Sequence, residues 1–207
     1  MRKALALAVV IVAPRLTFAQ GTIVFQNDSR GLVMQWTSAT DPTPIAVPKG
    51  NAMVDLITAA HGTPLSPLGT LYDSRGFVVE YPTLASFLHL NPGWHSAAVG
   101  SVNAASGIFN NGSVSLTGIP AGESADYCVI GWTGTSTNFD TARANGAFLG
   151  QSAVFTTLTG DATTPVNLNA TFTGMTLAPE YNPIPEPSIF AVFALAAATL
   201  EPLRRRR

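Results

Sequence analysis

Between residues 20 and 182, hydrophobic and polar positions alternate over short stretches separated by clusters of Gly, Pro, Asn and Asp. A period of two marks a strand with one face against a core, and the clusters supply turns. The cleanest alternation is at residues 166–172. Val166, Leu168, Ala170 and Phe172 point one way there, and Asn167, Asn169 and Thr171 the other. Residues 21–26 and 31–37 read as the first two strands. Residues 52–58 place Val54, Leu56 and Thr58 on one face and Asp55 on the opposite one. Residues 76–81 read as another strand. So do residues 113–117, between a turn at Asn110, Asn111 and Gly112 and a second turn at residues 119–122. Residues 125–132 read as a central strand, with Tyr127 and Val129 opposite Cys128, Ile130 and Trp132. Residues 41–50 carry three prolines and read as a loop or an edge, since proline cannot donate to a sheet ladder. Residues 61–69 read as a loop. Only residues 138–147 look helical, about two turns stopped by Gly146. The pattern predicts an all-β fold, a β-sandwich or jelly roll, with one short helix.

Two segments break the alternation. Residues 4–13 are continuously apolar behind Arg2 and Lys3, and Thr17, Phe18 and Ala19 form a small-x-small site. This is the three-part layout of a secretory signal, which predicts a signal peptide over residues 1–19 and cleavage between Ala19 and Gln20 by signal peptidase. As a helix, the apolar stretch spans only about 15 Å, half the hydrocarbon core of a bilayer, so it does not read as an anchor. At the other end, Pro185, Glu186 and Pro187 precede the apolar residues 189–200, and Arg204, Arg205, Arg206 and Arg207 follow. The prolines keep their segment extended and accessible to an enzyme. The apolar stretch partitions into a bilayer as a transmembrane helix, and the arginines resist translocation. The uninterrupted run covers about 18 Å of helix. Residues 184–203 give twenty positions, Glu186 and Glu201 included. The organisation is therefore a signal peptide (1–19), a β-sandwich body (20–182) and a tail (183–207).

Charge sharpens this division. Residues 20–182 hold four basic side chains against ten acidic ones, while the other basic residues sit at the two ends. An acidic body between basic ends is the charge layout of an exported protein, and it argues against a nucleic-acid partner. Charged residues make up only 11% of the chain, against about 25% in ordinary soluble domains, which excludes coiled coils and highly charged disordered chains. The single cysteine, Cys128, allows no internal disulfide and reads as a small buried apolar residue.

No catalytic constellation stands out. His61, His89 and His95 are the only histidines, and His89 and His95 flank a loop-like stretch without a third ligand at metal-binding spacing. No serine lies in a GxSxG setting, and residues 100–107 lack the lysine of a phosphate loop. Asp73 with Glu80, and Glu123 with Asp126, are the nearest acidic pairs. The latter two read as solubilising turn residues, and no calcium loop is present. The pattern predicts no metal and no cofactor. Trp36 and Trp132 lie in strand patterns and read as core. Trp94, in a polar loop, is the candidate for an exposed carbohydrate contact.

The ordered set of Pro185-Glu186-Pro187, an apolar stretch and a terminal arginine cluster, behind a signal peptide, resembles the PEP-CTERM sorting signal. The body is similar to that of PEP-CTERM proteins of planctomycete or verrucomicrobial type at residues 19–25, 110–122 and 145–155. The resemblance implies an exosortase, an integral membrane protease-transpeptidase, as processing partner. It also implies transient tethering in the inner membrane and delivery to the cell surface or extracellular matrix. It supplies no reaction. The expectation is an exported structural or interaction protein, not an enzyme. The alternatives are a carbohydrate-binding module acting on extracellular polysaccharide and a secreted hydrolase.

Overall fold

The computed structural model describes residues 19–68, 71–72 and 78–180. The expected signal peptide up to residue 18 and the sorting tail lie outside them. The chain runs β1 (Gln20–Gln26), β2 (Val33–Ser38), β3 (Asp41–Ala46), β4 (Ala52–Ala60), β5 (Leu71–Tyr72), β6 (Val78–Glu80), α1 (Leu84–Leu90), β7 (His95–Ser101), β8 (Asn110–Pro120) and β9 (Ser124–Thr133). It continues with α2 (Phe139–Ala144), β10 (Phe148–Gln151), β11 (Phe155–Leu158), β12 (Val166–Asn167), a 3-10 turn (Leu168–Ala170) and β13 (Met175–Pro179). The fold is all-β, as the alternation predicts.

The large sheet has the order β3-β2-β13-β10-β9-β4-β7, with β11 also paired to β9. β4 and β9 form its spine, in unbroken antiparallel register from Ala52↔Thr133 to Ala60↔Ala125. A small sheet, β12-β1-β8, faces it. Ile23 and Phe25 of β1 and Leu116 of β8 meet Val54, Leu56, Tyr127 and Val129 of the spine in one apolar cluster. The even-numbered residues of β9 point the other way. Cys128, Ile130 and Trp132 join Met53, Ile57 and Ala59 in a second cluster. Phe87 of α1, Phe139 and Ala142 of α2, Leu68 and Tyr81 cover that cluster. The molecule is a sandwich with a third layer over its outer face. The spine strands are thus buried on both sides, and Asp55, opposite Val54 and Leu56, lies in the interior with no exposed surface. Two pairs are parallel, β1 with β12 and β2 with β13, which departs from the antiparallel ladders of a jelly roll.

Several local expectations change. Residues 166–172 form a strand only at Val166 and Asn167. Asn167 Oδ1 accepts from the Asn169 amide at 3.0 Å, which diverts the backbone into the 3-10 turn. Leu168 and Phe172 are still buried together, because the Phe172 amide donates to the Leu168 carbonyl (3.0 Å). A four-residue spacing suits one helical turn as well as a strand. The turn expected at Asn110, Asn111 and Gly112 is instead the start of β8, in which Gly112 adopts a φ of +75°. α1 was not expected. Thr83 caps it, its Oγ1 accepting from the Ser86 amide (3.1 Å), and Leu84, Phe87 and Leu88 supply an apolar face. α2 matches its expected position, with Asn138 as N-cap and Gly146 (φ +74°) just past its end. β3 is an edge strand, as its prolines predict.

β10 and β11 are one strand interrupted by a bulge against β9. Gln151 pairs with Ile130, and after the bulge Phe155 pairs with Tyr127. Ser152 fills the break. Its amide donates to the Val129 carbonyl (2.8 Å), and its Oγ accepts from the Val129 amide (2.9 Å) and donates to the Ala153 carbonyl (2.8 Å).

Candidate functional site

Trp94 does not offer an exposed ring. It is 4% exposed and belongs to the outer cluster, with its Nε1 donating to the Pro64 carbonyl at 3.0 Å. The cause is the third layer. Asn91, at the end of α1, accepts from the Ser66 amide (2.7 Å) and so ties the 61–68 loop down over the indole. Trp132 is buried as expected, its Nε1 donating to the Ser136 carbonyl (2.7 Å) and its ring edge-on to Phe139. Trp36 is half-buried in β2. His89 does not lie in a loop but in the last turn of α1, and His95 opens β7 with a buried Nε2 that lacks a partner.

Asp126 is not a solvated turn residue. It is 5% exposed and accepts from His61 Nδ1 (2.9 Å), from the Gly62 amide (2.7 Å) and from Thr156 Oγ1. Burial works against its charge, but these donors outweigh it and hold the carboxyl below its ordinary range. The His61 ring stands largely in solvent. An Asp–His pair can orient an imidazole for proton transfer, yet Thr156, the hydroxyl at hand, bonds to the carboxylate and not to the ring. Glu123 is exposed and contributes no hydrogen bond to this pair. Asp73 lies outside the described residues. Among the described residues no three His, Cys, Asp or Glu side chains converge.

The second buried carboxyl, Asp55, receives one hydrogen bond, from Ser96 Oγ at 2.7 Å, and its Oδ2 has none. Burial pushes it up to about 7 despite that bond. The nearby Cys128 thiol is buried and pushed up to about 11 by the same effect, which leaves it a packing residue rather than a nucleophile.

The remaining polar feature sits where β2, β9 and β10 end beside α2. Two adjoining depressions, of about 520 and 360 Å³, share Thr133, Gly134 and Gly146. The first runs along the loop after β9 to Asn145 at the end of α2. The second opens toward Gln35, Asn51 and Phe148. None of the lining residues is ionisable. Residues 35, 51, 133 and 145 carry no shared local pattern, so nothing in the sequence marks the feature. Another depression, of about 370 Å³ beside Met34 and Met175, includes Arg30, whose guanidinium is engaged by Asp28 at 2.6 Å.

No protein-family model matches this chain, and no curated protein or solved structure shows significant similarity to it.

Proposed function

We propose that the chain is an exported protein of the cell surface or extracellular matrix, sorted by an exosortase, that acts there by binding rather than by catalysis. The observation that carries this reading is the pairing of two ends. An apolar signal with a small-x-small site precedes the body, and Pro185-Glu186-Pro187, an apolar run and four arginines follow it. A segment pinned by cations on the cytoplasmic side halts in the inner membrane, while the acidic body ahead of it crosses. The chemistry of the body supports the binding half of the reading. Asp126 is engaged by three internal donors, Glu180 by Arg143 and the Tyr81 amide, and Asp28 by Arg30. These carboxylates are used in holding the fold.

Fractionation of a strain with an exosortase and of its exosortase-deficient derivative tests the proposal. The expected product in the first begins at Gln20, has lost the arginine cluster and is recovered outside the inner membrane. In the second it stays membrane-bound and longer. Glu186→Ala, or deletion of residues 204–207, is expected to block maturation. A full-length, uncleaved product in the cytoplasm overturns the reading.

A further inference from the structure

We infer that the depression where β2, β9 and β10 end beside α2 is a binding site for a neutral polysaccharide. The inference rests on the reading of the chain as a surface binding protein and names the partner. Gln35 and Asn51 line one of the two adjoining depressions and Asn145 the other, and none of the three side-chain amides makes a hydrogen bond among the described residues. Asn27 and Asn91, by contrast, are put to internal use. Asn27 bonds to Gly31, Gly107 and Phe109, and Asn91 to Ser66 and Phe87. An amide presents a donor and an acceptor side by side, which matches neighbouring sugar hydroxyls that each donate and accept.

The lining decides between ligand classes. Without an ionisable side chain it offers no cation to a phosphate, sulfate or uronate, and the excess of acids over bases in residues 20–182 repels a polyanion. A peptide bound by strand addition would need an unpaired strand edge. The strands that end here are paired on both sides: β2 with β3 and β13, and β9 with β10 and β4. Phe148 is half-buried in the lining and presents an apolar surface for a sugar C–H face. Gly134 and Gly146, with φ of +94° and +74°, have no atom within 4 Å of where a Cβ would stand, so the joint between the two depressions stays open. Each depression falls within the range of small-ligand clefts, about 300–1,000 Å³, and their adjoining arrangement suits consecutive units of a chain.

Affinity electrophoresis and calorimetric titration of the full chain against dextran, a galactomannan and alginate test the inference. Expected is binding to at least one of the two neutral polymers, insensitive to molar salt. It should weaken about tenfold or more in the Asn51→Ala/Asn145→Ala double variant, which alters two exposed side chains without internal partners. Trp94→Phe should bind as the parent does. Absence of binding to both neutral polymers overturns the inference. So does binding unchanged in a double variant whose thermal melt matches the parent, or binding to alginate alone that salt abolishes. Should the double variant fail to fold, protection of Gln35 and Asn145 from hydrogen exchange by the bound polymer decides the matter, and its absence counts against the site. A protein that is processed and displayed but binds neither neutral polymer overturns this inference alone. One that binds while remaining uncleaved in the cytoplasm overturns the export reading alone.

Discussion

Ser96 Oγ donates to Asp55 Oδ1 at 2.7 Å and is, among the described residues, the single hydrogen-bond partner of that buried carboxyl. The donor lies on the edge strand β7 and the acceptor on the spine strand β4. Burial raises Asp55 to about 7, from an ordinary value of 3.8. A raised folded value means that the bound proton favours the folded state. The contribution is fully present below about pH 4 and falls by about 4 kcal/mol as the pH rises through 7. Asp55→Asn is therefore expected to be more stable than the parent near pH 8 and to lose the decline. Urea denaturation across this range checks it. A parent protein with equal stability at both ends of the window refutes the assignment.

Asp126 has the opposite sign. Its value is lowered, so its contribution is present above the ordinary carboxylate range and disappears as the pH falls through the folded value. Asp126→Ala leaves the Gly62 amide and the Thr156 hydroxyl without their acceptor and is expected to cost about 2–3 kcal/mol. His61→Ala removes a largely exposed partner and should cost under about 1 kcal/mol. Equal losses in the two variants would contradict this account of the pair.

The bulge at Ser152 gives a local prediction. Ser152→Ala strands the Val129 amide in the interior and should cost about 1–3 kcal/mol. Hydrogen exchange at Val129 is expected to accelerate well beyond that at its spine neighbours. An unchanged Val129 rate would mean that another acceptor takes over.

Gly31 and Gly131 separate rigid from yielding contacts. A methyl at Gly31 would overlap the carbonyl oxygen of Phe172, whereas one at Gly131 would first meet the terminal carbon of Met175. A backbone atom cannot step aside, but a methionine end can. Gly31→Ala is expected to cost roughly 2–4 kcal/mol and Gly131→Ala roughly 1 kcal/mol, read from denaturation midpoints. The reverse order would show that the Met175 pocket is the stiffer of the two.

The strands were legible wherever a two-residue period met an uncomplicated ladder. In β9, the odd residues from Ala125 to Val129 face the small sheet and the even ones from Cys128 to Trp132 the outer cluster, as their alternation implies. The third layer was not legible. α1 is a single short helix whose cap, Thr83, resembles any turn residue, and without it Trp94 looks solvated. Burial of the acids was hidden for a related reason. Asp126 stands near a glycine turn, and only the 61–68 loop folding back gives it His61 and Gly62 as partners. Gln35, Asn51 and Asn145 reach two adjoining depressions through topology alone.

The parallel pairings bear on when this body can take shape. The ladder of β1 is completed at Val166, and that of β2 at residues 175–177. Neither sheet can close until nearly the last described residue is available, and such distant partners make for slow closure. A polypeptide built in this way stays open along most of its length, and it locks only once the far end of the body has reached the strands laid down first.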